Sequence, residues 1–241
     1  NIFFILDKCG LIILMLSIII PCFNEEEIIL KSINKILFWC DSQKFECELL
    51  LVNNSSTDGT LDIMNSFQKE KNVVILNEEL KGKGFAIKKG LLHCSFNKVV
   101  ILDADLSTDI KELNKEWLEV EELLIIGSRP LGNEFDTPKI RKLSGSVLNF
   151  IIRKIFKLTF LDTQCGFKYI SSKKIKEISN NLSCGGFLYD LDLILFCLNS
   201  NINVKEKPVN YYFDKNSSVS LLKDPFIMLK DILILRKKYR I

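Results

Sequence analysis

A chain of 241 residues, 47% hydrophobic and 26% charged, is long enough to bury one sizeable α/β core and too apolar to be intrinsically disordered. Its net charge of +3 is too small to make nucleic acid an expected partner. The single histidine, His93, excludes a histidine-rich metal centre and reads as a surface residue late in a helix. The eight cysteines form no CxxC pair, which fits a reducing, cytosol-facing compartment better than a disulfide framework.

The chain opens on Asn1 rather than methionine, so an upstream segment is expected. Asp7 and Lys8 interrupt the apolar stretch from Ile2 to Ile20, and a spanning helix needs roughly 20 apolar residues. Leu11–Ile20 therefore reads as a buried strand, with its β-rich part at Ile13–Ile20. The residues before it are either part of the domain or the stub of a membrane anchor. Ile28, Ile29, Ile33, Ile36 and Leu37 then recur at helical spacing, predicting a helix over Glu25–Cys40.

Glu48–Val52 is a second strand. The polar run Ser55-Ser56-Thr57-Asp58 offers a cap for a helix over Leu61–Phe67. A third strand over Val73–Leu76 precedes a helix over Gly84–Cys94. A fourth, Lys98–Leu102, precedes a helix over Asp109–Glu122, and Leu123–Gly127 is the fifth. Uniformly apolar strands alternating with helices imply an α/β, doubly wound, mostly parallel sheet buried on both faces. Right-handed crossovers place the strand C-termini along one edge, where ligands bind.

Beyond Arg129 the pattern changes to a loop over Pro130–Pro138, a basic and apolar helix over Lys139–Lys157, and a turn at Asp162–Gln164. A strand near Phe167–Ile170, a helix over Leu188–Leu198, a strand over Lys205–Phe213 and a helix over Asp224–Tyr239 complete the chain. Pro208 marks the Lys205–Phe213 strand as an edge. Without a repeat or linker, residues 1–241 read as a single domain. It divides at 12–128, 129–222 and 223–241, the last an amphipathic helix.

Polar clusters fall at the strand ends: Pro21-Cys22-Phe23-Asn24-Glu25, Asn53-Asn54, Asp103-Ala104-Asp105 and Gly127-Ser128-Arg129. Two carboxylates one residue apart after an apolar strand suit Mg²⁺ or Mn²⁺, which often take one or two carboxylates plus substrate phosphates. Asp105 is the expected metal ligand, and Asp103 and Asp105 would act in catalysis. Lys81-Gly82-Lys83-Gly84 opens a helix, where glycine admits close backbone approach and the N-terminus favours an anion. No P-loop is present, and no GxGxxG follows the first strand. Arg129, Arg141 and Ser144 are candidates to grip a phosphate, since arginine matches phosphate oxygens. Asp162 is a candidate for orienting a substrate.

Ser17-Ile-Ile-Ile-Pro-Cys-Phe-Asn-Glu-Glu, Leu51-Val-Asn-Asn-Ser-Ser-Thr-Asp-Gly-Thr and Asp103-Ala-Asp resemble family 2 glycosyltransferases of the GT-A, Rossmann-like fold. Lys81-Gly-Lys-Gly-Phe-Ala-Ile-Lys-Lys-Gly, Gly127-Ser-Arg, Asp162-Thr-Gln-Cys-Gly-Phe-Lys, Tyr189-Asp-Leu-Asp-Leu and Lys230-Asp-Ile-Leu-Ile-Leu-Arg resemble the dolichyl-phosphate β-glucosyltransferase branch.

The resemblance implies an enzyme that uses UDP-glucose as donor and dolichyl phosphate as acceptor, with inversion, at a cytosolic membrane surface, that of the endoplasmic reticulum if eukaryotic. On that resemblance, residues 12–128 form the nucleotide-sugar half, 129–222 the acceptor half and 223–241 a membrane-proximal helix; Arg129, Arg141 and Ser144 would grip the acceptor phosphate and Asp162 would orient acceptor or sugar. The resemblance also places Pro21, Phe23, Glu25, Asn53 and Asp58 near uridine. Asp103, Ala104 and Asp105 would lie near ribose, metal and pyrophosphate, with Lys83 and Gly84 lining the nucleotide pocket. The family's acidic pair after the second strand is Asn53-Asn54 here, and its Gly-Ser-Lys is Asn216-Ser217-Ser218, with Lys215 a substitute for the lysine. Other polyprenyl-phosphate glycosyltransferases, such as undecaprenyl-phosphate enzymes with another UDP-sugar, and an inactive nucleotide-binding homologue remain open.

Overall fold

The computed structural model describes residues 5–6, 12–13, 15–43, 46–136, 139–212 and 224–240, with side chains at 15–43, 46–134, 145–212 and 228–240. The strands are β1 (Ile5–Leu6), β2 (Ile12–Ile13), β3 (Met15–Cys22), β4 (Glu46–Asn53), β5 (Val73–Asn77), β6 (Lys98–Ile101), β7 (Leu123–Ser128), β8 (Phe135–Asp136), β9 (Lys168–Ser171), β10 (Asn203–Pro208) and β11 (Tyr211–Tyr212). The helices are α1 (Ile29–Gln43), α2 (Thr60–Ser66), α3 (Lys83–His93), α4 (Lys115–Leu118), α5 (Lys139–Phe156), α6 (Ile175–Asn181), α7 (Tyr189–Asn199) and α8 (Asp224–Lys238).

Seven strands form one sheet in the order β10-β7-β9-β6-β3-β4-β5. Six run the same way; β9 is antiparallel to both of its neighbours. The sheet is the mostly parallel α/β array expected from the apolar runs, with one reversed strand from the second half of the chain inserted between two strands of the first. Pro208 ends β10, an edge strand, so the missing N–H interrupts no ladder.

Alternate residues feed opposite layers, which is why the strands read as continuous apolar runs. Ile18, Ile20, Leu49 and Leu51 pack under α1 and α2, with Ile33, Ile36 and Met64. Ile19, Leu50, Val52 and Ile170 pack under α3, α6 and α7, with Ile87, Ile178 and Ile194. A third cluster joins α5, α7 and α8 through Ile152, Phe156, Leu191, Leu195, Ile232 and Leu235.

Several elements differ from the sequence reading: α1 starts at Ile29 rather than Glu25 and ends at Gln43 rather than Cys40, and α6 was not expected. The first core strand starts at Met15 and runs on to Cys22. The helix expected over 109–122 is broken into a 3₁₀ turn at Ile110–Glu112 and the short α4. Two local caps cause the break: Asp109 accepts from Lys111 N, and Asn114 accepts from Glu116 N, restarting the chain within one turn. The strand expected over 205–213 divides at Val209, and β11 leaves the main sheet to pair with β8. Residues 215–218, including the segment that replaces Gly-Ser-Lys, lie outside the described residues.

Candidate active site

The loops after β3 and β4 are stitched together by neutral and backbone-directed hydrogen bonds. Asn24, in the left-handed region at φ 56°, donates from its N–H to Ser56 Oγ, and its Oδ1 accepts from Thr57 N. Glu25 N donates to Thr60 Oγ1 at 2.7 Å, and Glu26 N donates to Asp58 Oδ2. Asp58 Oδ1 also accepts from Thr60 Oγ1 at 2.6 Å and from Thr60 N at 3.1 Å, so it braces two loops and holds the first N–H of α2. Pro21 lies opposite Val52 in the ladder, and Phe23 is exposed beyond the strand end.

The Asn53-Asn54 pair has a structural use for its amides. Buried Asn53 donates from Nδ2 to Asn77 Oδ1 and accepts from Ser56 N. Asn54 donates to Leu80 O at 2.7 Å and accepts from Gly82 N at 2.8 Å. A carboxylate could accept from Gly82 but could not donate to Leu80. The amide thus holds the segment that leads into α3.

The glycines of that segment approach protein. A Cβ on Gly84 would lie 2.2 Å from Cys184 O, and one on Gly82 2.2 Å from Gly185 O. Gly84 N donates to Gly185 O at 2.8 Å. They seat the start of α3 against residues 184–185, and Lys83 between them reaches across to Asp103.

Asp103 and Asp105 follow β6. Burial would raise the Asp103 carboxyl, but Lys83, Lys168 and Arg129 outweigh it and hold it below the ordinary aspartate range. Burial likewise would lower the Lys83 ammonium, but Asp103, Asp190 and Asp105 raise it. Asp105 behaves oppositely: burial, then the charge of Asp103, push its carboxyl up. Its Oδ1 accepts from Ser107 N at 2.9 Å. Ala104 between them is buried.

β9 reaches the same edge from the other direction. Lys168 lies opposite Ile101 of β6 and Ile126 of β7, so residues 162–167 enter the site before their strand. A Cβ on Gly166 would lie 1.9 Å from Asp103 Oδ2; only glycine lets this turn pass the carboxylate. Asp162 is 1% exposed and pairs bidentately with Arg129, Nε–Oδ2 2.6 Å and a terminal NH₂ to Oδ1 2.9 Å. Burial alone would raise Asp162; the Arg129 charge and hydrogen bonds lower it, while Asp162 drives the Arg129 guanidinium up. Glu206 of β10 accepts from Asp162 N, and Asn149 of α5 accepts from Thr163 N, fixing the turn. The Tyr211 ring lies 5.3 Å from the guanidinium.

Asp103, Asp105, Arg129, Asp162 and Lys83 thus share one electrostatic site. Arg129, expected to grip an acceptor phosphate, is held from below by Asp162. Arg141 and Ser144 fall in the first turns of α5, whose side chains lie outside the described residues. The sequence reading assigned no role to Gly166, Lys168, Tyr189, Asp190 or Tyr211. A lysine within Phe167-Lys168-Tyr169-Ile170 and two aspartates in an otherwise apolar helix were the available signals.

Residues 17–179 match the family model for glycosyl transferase family 2. The chain belongs to that family. Among its relatives, a Trichomonas vaginalis dolichyl-phosphate β-glucosyltransferase is 28% identical over 210 residues, 81% of this chain and 65% of that protein. The Saccharomyces cerevisiae dolichyl-phosphate β-glucosyltransferase is 25% identical over 254 residues, 94% of this chain and 75% of that one. The chain therefore spans between about two thirds and three quarters of these relatives' lengths. Glucosyl-3-phosphoglycerate synthase of Mycobacterium tuberculosis, solved with Mn²⁺ and UDP-glucose, superposes with TM-score 0.69 at 18% identity, covering 97% of this chain and 81% of that one. That likeness establishes the GT-A type of α/β fold for this family 2 glycosyltransferase.

Proposed function

We propose that this family 2 glycosyltransferase transfers glucose from UDP-glucose to dolichyl phosphate, with inversion, on the cytosolic face of the endoplasmic reticulum membrane. The names of its relatives point to that donor and acceptor class. The observation that carries the reading is the pairing of charges at the strand ends. Asp103, Asp162 and Asp190 each have a cationic partner, Lys83, Arg129 and Lys168. Asp105 makes no ion pair among the described residues, and burial has already raised its carboxyl.

Asp105 is thus the carboxylate suited to a divalent cation. Among the described residues no group of three or more His, Cys, Asp or Glu could enclose a metal by itself. The donor set therefore fits a Mg²⁺ or Mn²⁺ ion completed by diphosphate oxygens, as hard cations with few carboxylate ligands often are. When bound, the ion would neutralise charge on the departing diphosphate.

The chain's own residues do the rest. Pro21, Phe23, Glu25, Asn53 and Asp58 lie on or beside the stitched loops that would receive the uridine. Lys83 and Asp103 would face ribose and diphosphate, with Gly84 seating the helix that carries Lys83. An acceptor phosphate carries most of its second charge at neutral pH, its second pKa being about 6. Its oxygen can attack the anomeric carbon as the carbon–oxygen bond to the diphosphate breaks and UDP leaves. Arg129, fixed by Asp162, would set the acceptor side, with Arg141 and Ser144 as further ligands.

The membrane reading rests on α5 and α8. Each turns one face inward, through Ile152, Phe156, Met228, Ile232 and Leu235. Each also exposes apolar residues, with Phe150 58% and Leu233 60% accessible. Lys154, Lys157, Arg236 and Lys237 are exposed beside them. No helix among the described residues is long and apolar enough to cross a membrane, and this pattern suits an interfacial helix pair on an anionic leaflet.

Lipid-product analysis after incubation with UDP-glucose, Mn²⁺ and dolichyl phosphate tests the reaction. Glucosyl-phosphoryl-dolichol is the expected product; product from another UDP-sugar or with undecaprenyl phosphate alone would reassign the substrates. Vesicle flotation tests the surface: failure to bind anionic vesicles would remove the membrane role of α5 and α8.

A further inference from the structure

Lys168 lies within a sheet strand, is fully buried and makes an ion pair of 2.5 Å with buried Asp190 of α7. It also donates to Cys165 O. Burying such a pair costs more than packing apolar residues of the same volume, so stability alone does not account for it. The surroundings suggest what it does. Lys83 lies 5.8 Å from the centre of the Tyr189 ring, and Lys168 lies 5.6 Å from the same ring. Two ammonium groups therefore flank one aromatic residue at the first turn of α7.

The carboxylates also link the two lysines. Lys83 bonds Asp103 and feels the charge of Asp190. Lys168 pairs with Asp190 at 2.5 Å and shares the Tyr189 ring with Lys83, the partner of Asp103. Asp190 is a buried carboxylate whose desolvation favours the neutral form, opposed chiefly by Lys168 and then by Lys83. Without Lys168, Lys83 would be the remaining cation acting on both Asp190 and Asp103.

We infer that Lys168 is a positioning residue: by satisfying Asp190 from below, it keeps the Lys83 ammonium on Asp103, at the place where a donor diphosphate would sit. Lys83 acts on the ligand; Lys168 acts through Asp190 and Lys83. The inference rests on the reading of this pocket as a nucleoside-diphosphate site.

The test is a set of variants titrated calorimetrically with UDP in the presence of MnCl₂, well below each variant's melting temperature. K168M is expected to weaken UDP binding about tenfold, the loss of roughly one charge-assisted hydrogen bond. K83M is expected to weaken it at least as much. K83M/K168M should bind no more weakly than K83M, because both changes remove the same interaction. K168M/D190N, which removes the rival carboxylate as well, should bind UDP within about threefold of the wild type. If K168M does not fold, this last variant still decides, since it buries no lone carboxylate. UDP affinity unchanged in K168M, additive losses in K83M/K168M, or binding not recovered in K168M/D190N would each overturn the inference. Wild-type protein that does not bind UDP with Mn²⁺ would instead sink the proposed function.

Discussion

The two sides of the site are held by different physics. Around the ends of β3 and β4 the loops are tied mainly by neutral side chains bonded to backbone, as with Asn24, Asn54, Ser56 and Thr60. Around the ends of β6 and β7 and the start of β9 they are tied by ion pairs, Lys83–Asp103, Arg129–Asp162 and Lys168–Asp190. Neutral contacts of the first kind preform a rigid socket suited to an uncharged base. Charged contacts of the second kind are ones that a phosphate or a cation can join or exchange. On the proposed function, recognition and chemistry would divide along a single sheet edge at this difference.

The sharpest way to break the charged side is D105N. It removes the carboxylate left without a cation and should lower glycosyl transfer at least about 100-fold. The neutral socket would persist, so UDP binding without metal should change little. Transfer assays and UDP titrations with and without Mn²⁺ read both quantities.

Next is D162N, which leaves the Arg129 guanidinium buried without its counter-charge. The expected loss is about 3 kcal/mol, or roughly 6–12 °C in Tm for a domain of this size. The pH dependence has a definite sign. The folded carboxyl lies below its unfolded value, so its contribution is complete above the ordinary aspartate pKa of about 4 and is lost as pH falls through the lower folded value. The Tm gap between wild type and D162N should stay constant from about pH 5 to 8 and close only under stronger acid.

On the neutral side, N54D should be milder. It removes the donor to Leu80 O and costs about 1–2 kcal/mol, with a smaller fall in Tm that denaturant melts resolve.

The last contrast is between two glycines, and the smallest expected effect is at the second. G166A puts a methyl into the Asp103 carboxylate and should weaken UDP–Mn²⁺ binding about tenfold. G145A meets nothing within 4 Å on α5 and should be neutral or stabilise by up to about 1 kcal/mol. Parallel titrations and melts separate the two.

Much of this was legible in sequence. The apolar runs at 13–20, 48–52, 98–102 and 123–127 announced a doubly wound sheet, because the core strands they form are buried on both faces. The same rule placed Asp103, Asp105, Arg129 and Asn53 at one edge. What could not be read was β9: nothing local to Lys168-Tyr-Ile-Ser states that its neighbours run the other way. With its direction unread, the roles of Gly166 and Lys168 went unread too. Partner choice was equally hidden. Arg129 and Asp162 are 33 residues apart and both suited a ligand, and only the fold shows that they bind each other. The 109–122 segment failed for a local reason, since helical spacing was overruled by two competing side-chain caps.

Helix α7 presents Asp190 to the pocket and Asp192, two residues on, to α8. Asp192 accepts from Ser183 and Cys184 on one oxygen and from Lys238 and Tyr239 on the other. The two carboxylates are thus linked through less than one helical turn. If α8 settles on a bilayer as proposed, any shift of that helix would reach the Lys168–Asp190 pair without crossing a loop.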